Sequence, residues 1–178
     1  MKSSNVKTYL EVTTNIVVLL VALVVLGNFA WVHLAKQPKQ LELRAEGGLT
    51  KGSAFSPIPT VDYGKSSQTL VIVLSSRCDH CNESIPFFKQ LLEANSGKSD
   101  STRIVAVFPE DIEEVRSYIT QQQLSVDSIP GINYKALNLP GTPSTVLISS
   151  EGKILNFWIG KPSKDAEKEI MESITNRT

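Results

Sequence analysis

The chain has 178 residues, with 18 basic and 18 acidic side chains and a formal net charge of zero. No basic stripe is present to neutralise phosphates, so nucleic acid is not an expected partner. The length allows one ordinary domain after an apolar N-terminal segment and a linker, and such a domain buries enough core to fold without disulfide staples.

Between Thr13 and Leu34 there is no Asp, Glu, Lys or Arg, and the centre, Ile16 to Leu26, is apolar throughout. A membrane-spanning helix needs roughly 20 such residues. Trp31 and His33 fall at its end, where amphipathic side chains favour the interface. The competing reading is a cleaved signal peptide, whose apolar core runs about 7–15 residues before a small-residue site. Here the run continues past Gly27 and Asn28 to Leu34, and no clean small-x-small site follows. The expectation is a tail over 1–12 and one retained transmembrane helix over 13–35, inserted in the lipid bilayer. Lys2 and Lys7 precede the span, and Lys36, Lys39 and Arg44 follow it. The positive-inside rule is therefore nearly balanced and does not orient the chain.

Residues 36–54 are polar, carry Gly47, Gly48 and Gly52 and show no sustained period, so they read as a linker. A domain over 55–178 follows. Leu70 to Leu74 is a short, continuous apolar run, as expected for a strand buried on both faces. Glu83 to Ala94 has Ile85, Phe87, Phe88, Leu91 and Leu92 at helical spacing. Arg103 to Phe108 predicts a second buried strand, and Asp111 to Gln123 a helix with acidic residues in its first turn, which suits the helix dipole. Ser144 to Ser149 and Ile154 to Ile159 predict a hairpin around Ser150-Glu151-Gly152-Lys153. Ser163 to Thr175 predicts a closing helix. This alternation implies an α/β fold: a parallel sheet with helices on its faces, completed by antiparallel edge strands.

The chain has two cysteines, in Cys78-Asp79-His80-Cys81. Two are too few for a disulfide framework, and a structural zinc site usually takes four ligands. No metal and no cofactor are expected. The pair falls between a buried strand and a helix, where backbone N–H groups and the helix dipole favour a thiolate, the reactive form of cysteine. Cys78, nearer the exposed end, reads as the nucleophile, and Cys81 as the thiol that resolves the mixed disulfide. A protonated His80 would support a Cys78 thiolate and Asp79 would oppose it, so the spacing alone fixes no redox potential. Gly141-Thr142-Pro143-Ser144, just before a buried strand, is a place for a cis peptide bond. Such a bond would turn the Thr142 backbone toward the dithiol, to pair with an extended substrate.

Taken together, Leu70 to Cys81, Pro86, Val107 to Asp111, Gly141 to Ile148 and Glu151 to Ile154 resemble the thioredoxin superfamily, and within it the membrane-tethered TlpA/ResA-like thiol–disulfide oxidoreductases. The resemblance covers about residues 55–175. It implies a thioredoxin-like fold, a central mixed sheet flanked by helices. It also implies a cis bond at Pro143, a reactive Cys78, and disulfide exchange with exported protein thiols, sometimes apocytochromes c. A membrane electron donor would feed the site, and the domain would stand on the extracytoplasmic, periplasmic side of a bacterial cytoplasmic membrane. The chain departs from the family pattern at three places. Arg77 stands where an aromatic residue commonly precedes the first cysteine, and its charge could act on Cys78 or a partner. The buried carboxylate of thioredoxins would fall at Ile72. The carboxylate of some ResA-like proteins would fall at Ser84, leaving Glu83 or water as proton acceptor. The alternative is a partner-holding module with little turnover, its two thiols binding Cu(I) as soft ligands do; the distal histidine such proteins add has only His33 as a candidate.

Overall fold

The computed structural model describes residues 48–97 and 102–175. The anchor expected over 13–35 lies outside them, and no helix among the described residues is long and apolar enough to cross a membrane.

Three helices and a five-stranded sheet make up this part of the chain. In chain order they are β1 (Gln68–Val73), α1 (Asp79–Asn95), β2 (Arg103–Val107), α2 (Ile112–Gln122), β3 (Asp127–Ile129), β4 (Ser144–Ser149), β5 (Ile154–Ile159) and α3 (Lys164–Thr175). The strand order is β3-β2-β1-β4-β5. β1 pairs in parallel with β2, and β2 with β3; β1 pairs antiparallel with β4, and β4 with β5. The sheet is therefore mixed, as expected.

Each inner strand is apolar on both faces because each face meets its own layer. Leu70, Ile72, Ile104 and Ala106 point to one side and pack with Ile85, Phe88 and Leu91 of α1, Val115 and Tyr118 of α2, and Ile170 and Ile174 of α3. Val71, Val73, Val105 and Val107 point to the other and meet Phe55, Ile58, Leu137 and Leu139. This arrangement differs from the expected helices on both faces. Successive parallel strands step in one direction, so their right-handed crossovers put α1 and α2 on one side. Irregular segments cover the opposite side, with 3-10 turns at Tyr63–Lys65 and Tyr134–Leu137.

β4 is not an edge strand. It lies between β1 and β5 and is buried along its whole length; the edges are β3 and β5. The chain enters the fold ahead of Phe55. Gly52 donates to the Ile154 carbonyl at 2.7 Å, and Ala54 bridges Lys153.

Candidate active site

The dithiol sits where β1 hands over to α1. Beyond the strand, the Leu74 N–H still bonds the Val107 carbonyl at 2.9 Å, which fixes the start of the turn. The Cys78 N–H then bonds the Ser75 carbonyl at 3.3 Å. Cys78 has extended backbone angles (φ −107°, ψ 112°) and is the N-cap of α1. Its sulfur accepts from the Cys81 N–H at 3.2 Å, the position a Ser, Thr or Asp oxygen usually takes. The helix thus begins at Asp79, four residues before the apolar period that predicts it, because the first turn is held by this cap. The sulfur also lies at the positive end of the helix dipole, where an anion is favoured.

The two sulfurs occupy different surroundings. Cys78 is partly exposed and Cys81 is fully buried; both are free thiols. Burial pushes the Cys81 thiol up to about 12, and its hydrogen bond with Cys78 adds to that shift. The Ser75 backbone and the Thr142 side chain pull it partly back. Near neutral pH, Cys81 is thus held as the protonated thiol.

Thr142 comes from 64 residues away. The Thr142–Pro143 peptide bond is cis, and the Cys78 thiol donates to the Thr142 carbonyl at 3.4 Å. The loop is braced from both sides: Ser144 Oγ donates to the Gly141 carbonyl at 2.7 Å, and the Gly160 N–H to the Pro143 carbonyl at 2.8 Å. Gly160 has φ +82°, a conformation that L side chains rarely adopt, so glycine suits this position.

Arg77, His80 and Glu83, which flank the dithiol, each bond a charged or titratable side chain other than the two cysteines. The Arg77 guanidinium forms a bidentate pair with Glu114 of α2, Nε to Oε1 at 3.0 Å and Nη2 to Oε2 at 2.6 Å. Ser76 Oγ donates to the same carboxylate at 2.5 Å. The Arg77 and Ser76 hydrogen bonds hold the Glu114 carboxyl well below its usual range, at about 2. Ser75 Oγ donates to Glu110 at 2.5 Å and accepts from the Arg77 N–H at 3.2 Å. On the other flank His80 Nδ1 lies 3.3 Å from Glu83 Oε2, and Lys161 Nζ lies 2.9 Å from the same oxygen. Hydrogen bonds from Lys161 and then His80 lower the Glu83 pKa. Glu83 is half-exposed and engaged by Lys161 and His80, so it is poorly placed as the proton acceptor considered from sequence. Asp79 is exposed in the first turn of α1.

Arg77, Cys78, Asp79, His80, Cys81, Glu83, Thr142 and Pro143, singled out from sequence, therefore fall around one turn; His33, the candidate distal histidine, lies outside the described residues. Sequence reasoning missed Ser75, Ser76, Glu110, Glu114 and Lys161. Glu110 is a carboxylate only 8% exposed. In sequence the acidic residues after β2 signal only a helix start, and that capping role falls to Asp111, which accepts from the Glu113 and Glu114 N–H groups at 3.0 Å. Among the described residues no three His, Cys, Asp or Glu side chains come together as a metal site.

No protein-family model matches the chain, and neither does any curated protein. Solved structures do. The thioredoxin domain of a thiol-disulfide oxidoreductase from Bacteroides vulgatus superposes with a TM-score of 0.56 at 17% identity, over 71% of this chain and 99% of that one. A thiol:disulfide interchange protein from Bacteroides sp. gives 0.57 at 17%, over 73% and 93%. StoA from Bacillus subtilis gives 0.51 at 19%, over 72% and 97%. At these identities the likeness concerns architecture: the chain has the thioredoxin fold.

Proposed function

We propose that the chain is a thiol–disulfide oxidoreductase acting through Cys78 and Cys81. The observation that carries this reading is the asymmetry of the pair: an accessible sulfur capping a helix, and a buried thiol pushed up to about 12 beside it. An inert structural pair gains nothing from leaving one sulfur accessible at a helix N-terminus. An exchange site needs one thiol that ionises and reacts, and a second that waits.

The Cys78 thiolate attacks one sulfur of a substrate disulfide. A mixed disulfide forms at Cys78, and the other substrate sulfur leaves as a thiolate that takes up a proton. Cys81 then gives up its proton and attacks the Cys78 sulfur. The internal disulfide closes and the second substrate thiolate leaves, to be protonated in turn. The substrate gains two electrons and two protons, and the protein dithiol loses them. The Thr142 side chain, which favours a charged Cys81 sulfur, assists the second attack. Its carbonyl, 3.4 Å from Cys78 Sγ, lines the approach of the substrate.

The substrates in this reading are disulfides of exported proteins, apocytochromes c among them, and a membrane dithiol donor restores the reduced form. The uncharged stretch from Thr13 to Leu34 supports a single anchor; the extracytoplasmic, periplasmic side of the domain follows from the resemblance to tethered thiol–disulfide oxidoreductases, not from the flanking charges. The names of the similar structures support the chemistry. The test is catalysed reduction of a protein disulfide such as insulin's with a small dithiol as donor. The wild-type chain accelerates it and Cys78→Ser does not. A wild-type rate equal to that of the donor alone refutes the reading.

A further inference from the structure

We propose that Glu114 is a positioning residue of the dithiol site, holding the Arg77 guanidinium against α2 and so keeping that cation off the Cys78 sulfur. The inference rests on the exchange reading above. Arg77 immediately precedes Cys78, and its long side chain is mostly exposed, so its own packing does not fix it. Its side-chain hydrogen bonds go to one carboxylate, with Glu110 and Asp111 adding weaker attraction. Glu114 takes both guanidinium bonds and the Ser76 hydroxyl, three hydrogen bonds from two successive residues of the turn.

An exposed ion pair of this kind adds little to stability, about 0–1 kcal/mol. Bidentate geometry, by contrast, sets direction. The consequence of the Arg77–Glu114 pair is therefore electrostatic. A free guanidinium next to Cys78 would be drawn to the thiolate and would stabilise it. That would favour the reduced dithiol and make the disulfide the stronger oxidant. Tied to Glu114, the same residue presents a neutral pair. The other charged and titratable groups around the turn are Asp79, His80, Cys81 and Glu83 from α1, Glu110 and Asp111 from the β2–α2 loop, Tyr118 from α2 and Lys161 after β5. On the other flank His80 and Lys161 both bond Glu83, whereas on this side loss of Glu114 would release Arg77, the residue next to Cys78 in sequence.

The experiment is a double-mutant cycle on the full chain, with Glu114→Gln, Arg77→Ala and the double variant. The readouts are the equilibrium of the dithiol with glutathione and the alkylation rate of Cys78 near neutral pH. Folding is checked by circular dichroism, and Glu114→Asp serves as a second, milder variant. Glu114→Gln is expected to shift the equilibrium toward the dithiol by roughly threefold or more, the scale of one unit charge near a surface site, and to speed alkylation. In the Arg77→Ala background the same change is expected to do clearly less, and Glu114→Asp to fall between parent and Glu114→Gln. An equal shift in both backgrounds overturns the proposal, since Glu114 would then act only through its own charge; so does no shift at all. These readouts need no turnover. Failure of the exchange reading would appear separately, as a parent chain that does not catalyse insulin reduction.

Discussion

The carbonyl oxygen of Thr142 lies 3.4 Å from the sulfur of Cys78, and the side chain of the same residue acts on Cys81. One residue of the Pro143 loop therefore addresses both sulfurs with two different groups. The two contacts separate experimentally, because a side-chain substitution leaves the carbonyl in place.

Thr142→Val is expected to remove the hydroxyl beside Cys81 and keep the shape of the loop. A hydrogen bond of this kind contributes about 1 kcal/mol, or roughly fivefold in rate. The mixed disulfide at Cys78 should form at the wild-type rate and resolve about fivefold more slowly, as stopped-flow mixing with a chromogenic disulfide would show.

Cys81→Ser should accumulate mixed disulfides through Cys78, because the resolving thiol is gone and the attacking one is intact. Cys78→Ser should accumulate almost none, because Cys81 is fully buried and held protonated. Non-reducing electrophoresis after incubation with a protein disulfide distinguishes the two. A heavily trapped Cys78→Ser would reverse the assigned roles.

Stability of the reduced protein should fall in alkali. The folded-state Cys81 pKa is raised above its ordinary 9.0, to about 12. The unfolded chain thus loses this proton first, and the contribution is complete below about 9 and lost as pH rises toward 12. The Cys81→Ala variant should lack this part of the alkaline slope, which urea melts across that range would reveal.

Phe88 is fully buried between the sheet and α1, where it packs with Phe87 at a ring-centroid distance of 5.5 Å. Phe88→Ala should cost about 3–5 kcal/mol in denaturant unfolding, the usual range for a large aromatic residue lost from a core. A cost under about 1 kcal/mol would mean that the α1 face is not packed as described.

The parts of this architecture legible in sequence are those with an unbroken local signal. β1, β2 and β4 carry short apolar runs because both of their faces are covered; β2 and β4 fall within a residue of the expected bounds, and β1 starts two residues earlier than expected, at Gln68. β3 is three residues, two of them exposed, and carries no period to read. The start of α1 was obscured because its first turn is organised by a cysteine cap rather than by apolar spacing. In the site, the dithiol and the Thr142–Pro143 loop each have a local pattern. Arg77 with Glu114 and Lys161 with Glu83 are 37 and 78 residues apart. Only the fold brings such pairs together, and a charged residue's own neighbours in sequence do not name its partner.

The most direct measurement is to challenge the reduced chain with a limiting amount of a small disulfide, quench in acid at successive times, and map the modified sulfur by peptide mass spectrometry. The account predicts an early adduct on Cys78, replaced by a Cys78–Cys81 disulfide as the adduct decays. An early adduct on Cys81, or a Cys78 adduct that persists in the unaltered protein, would contradict it.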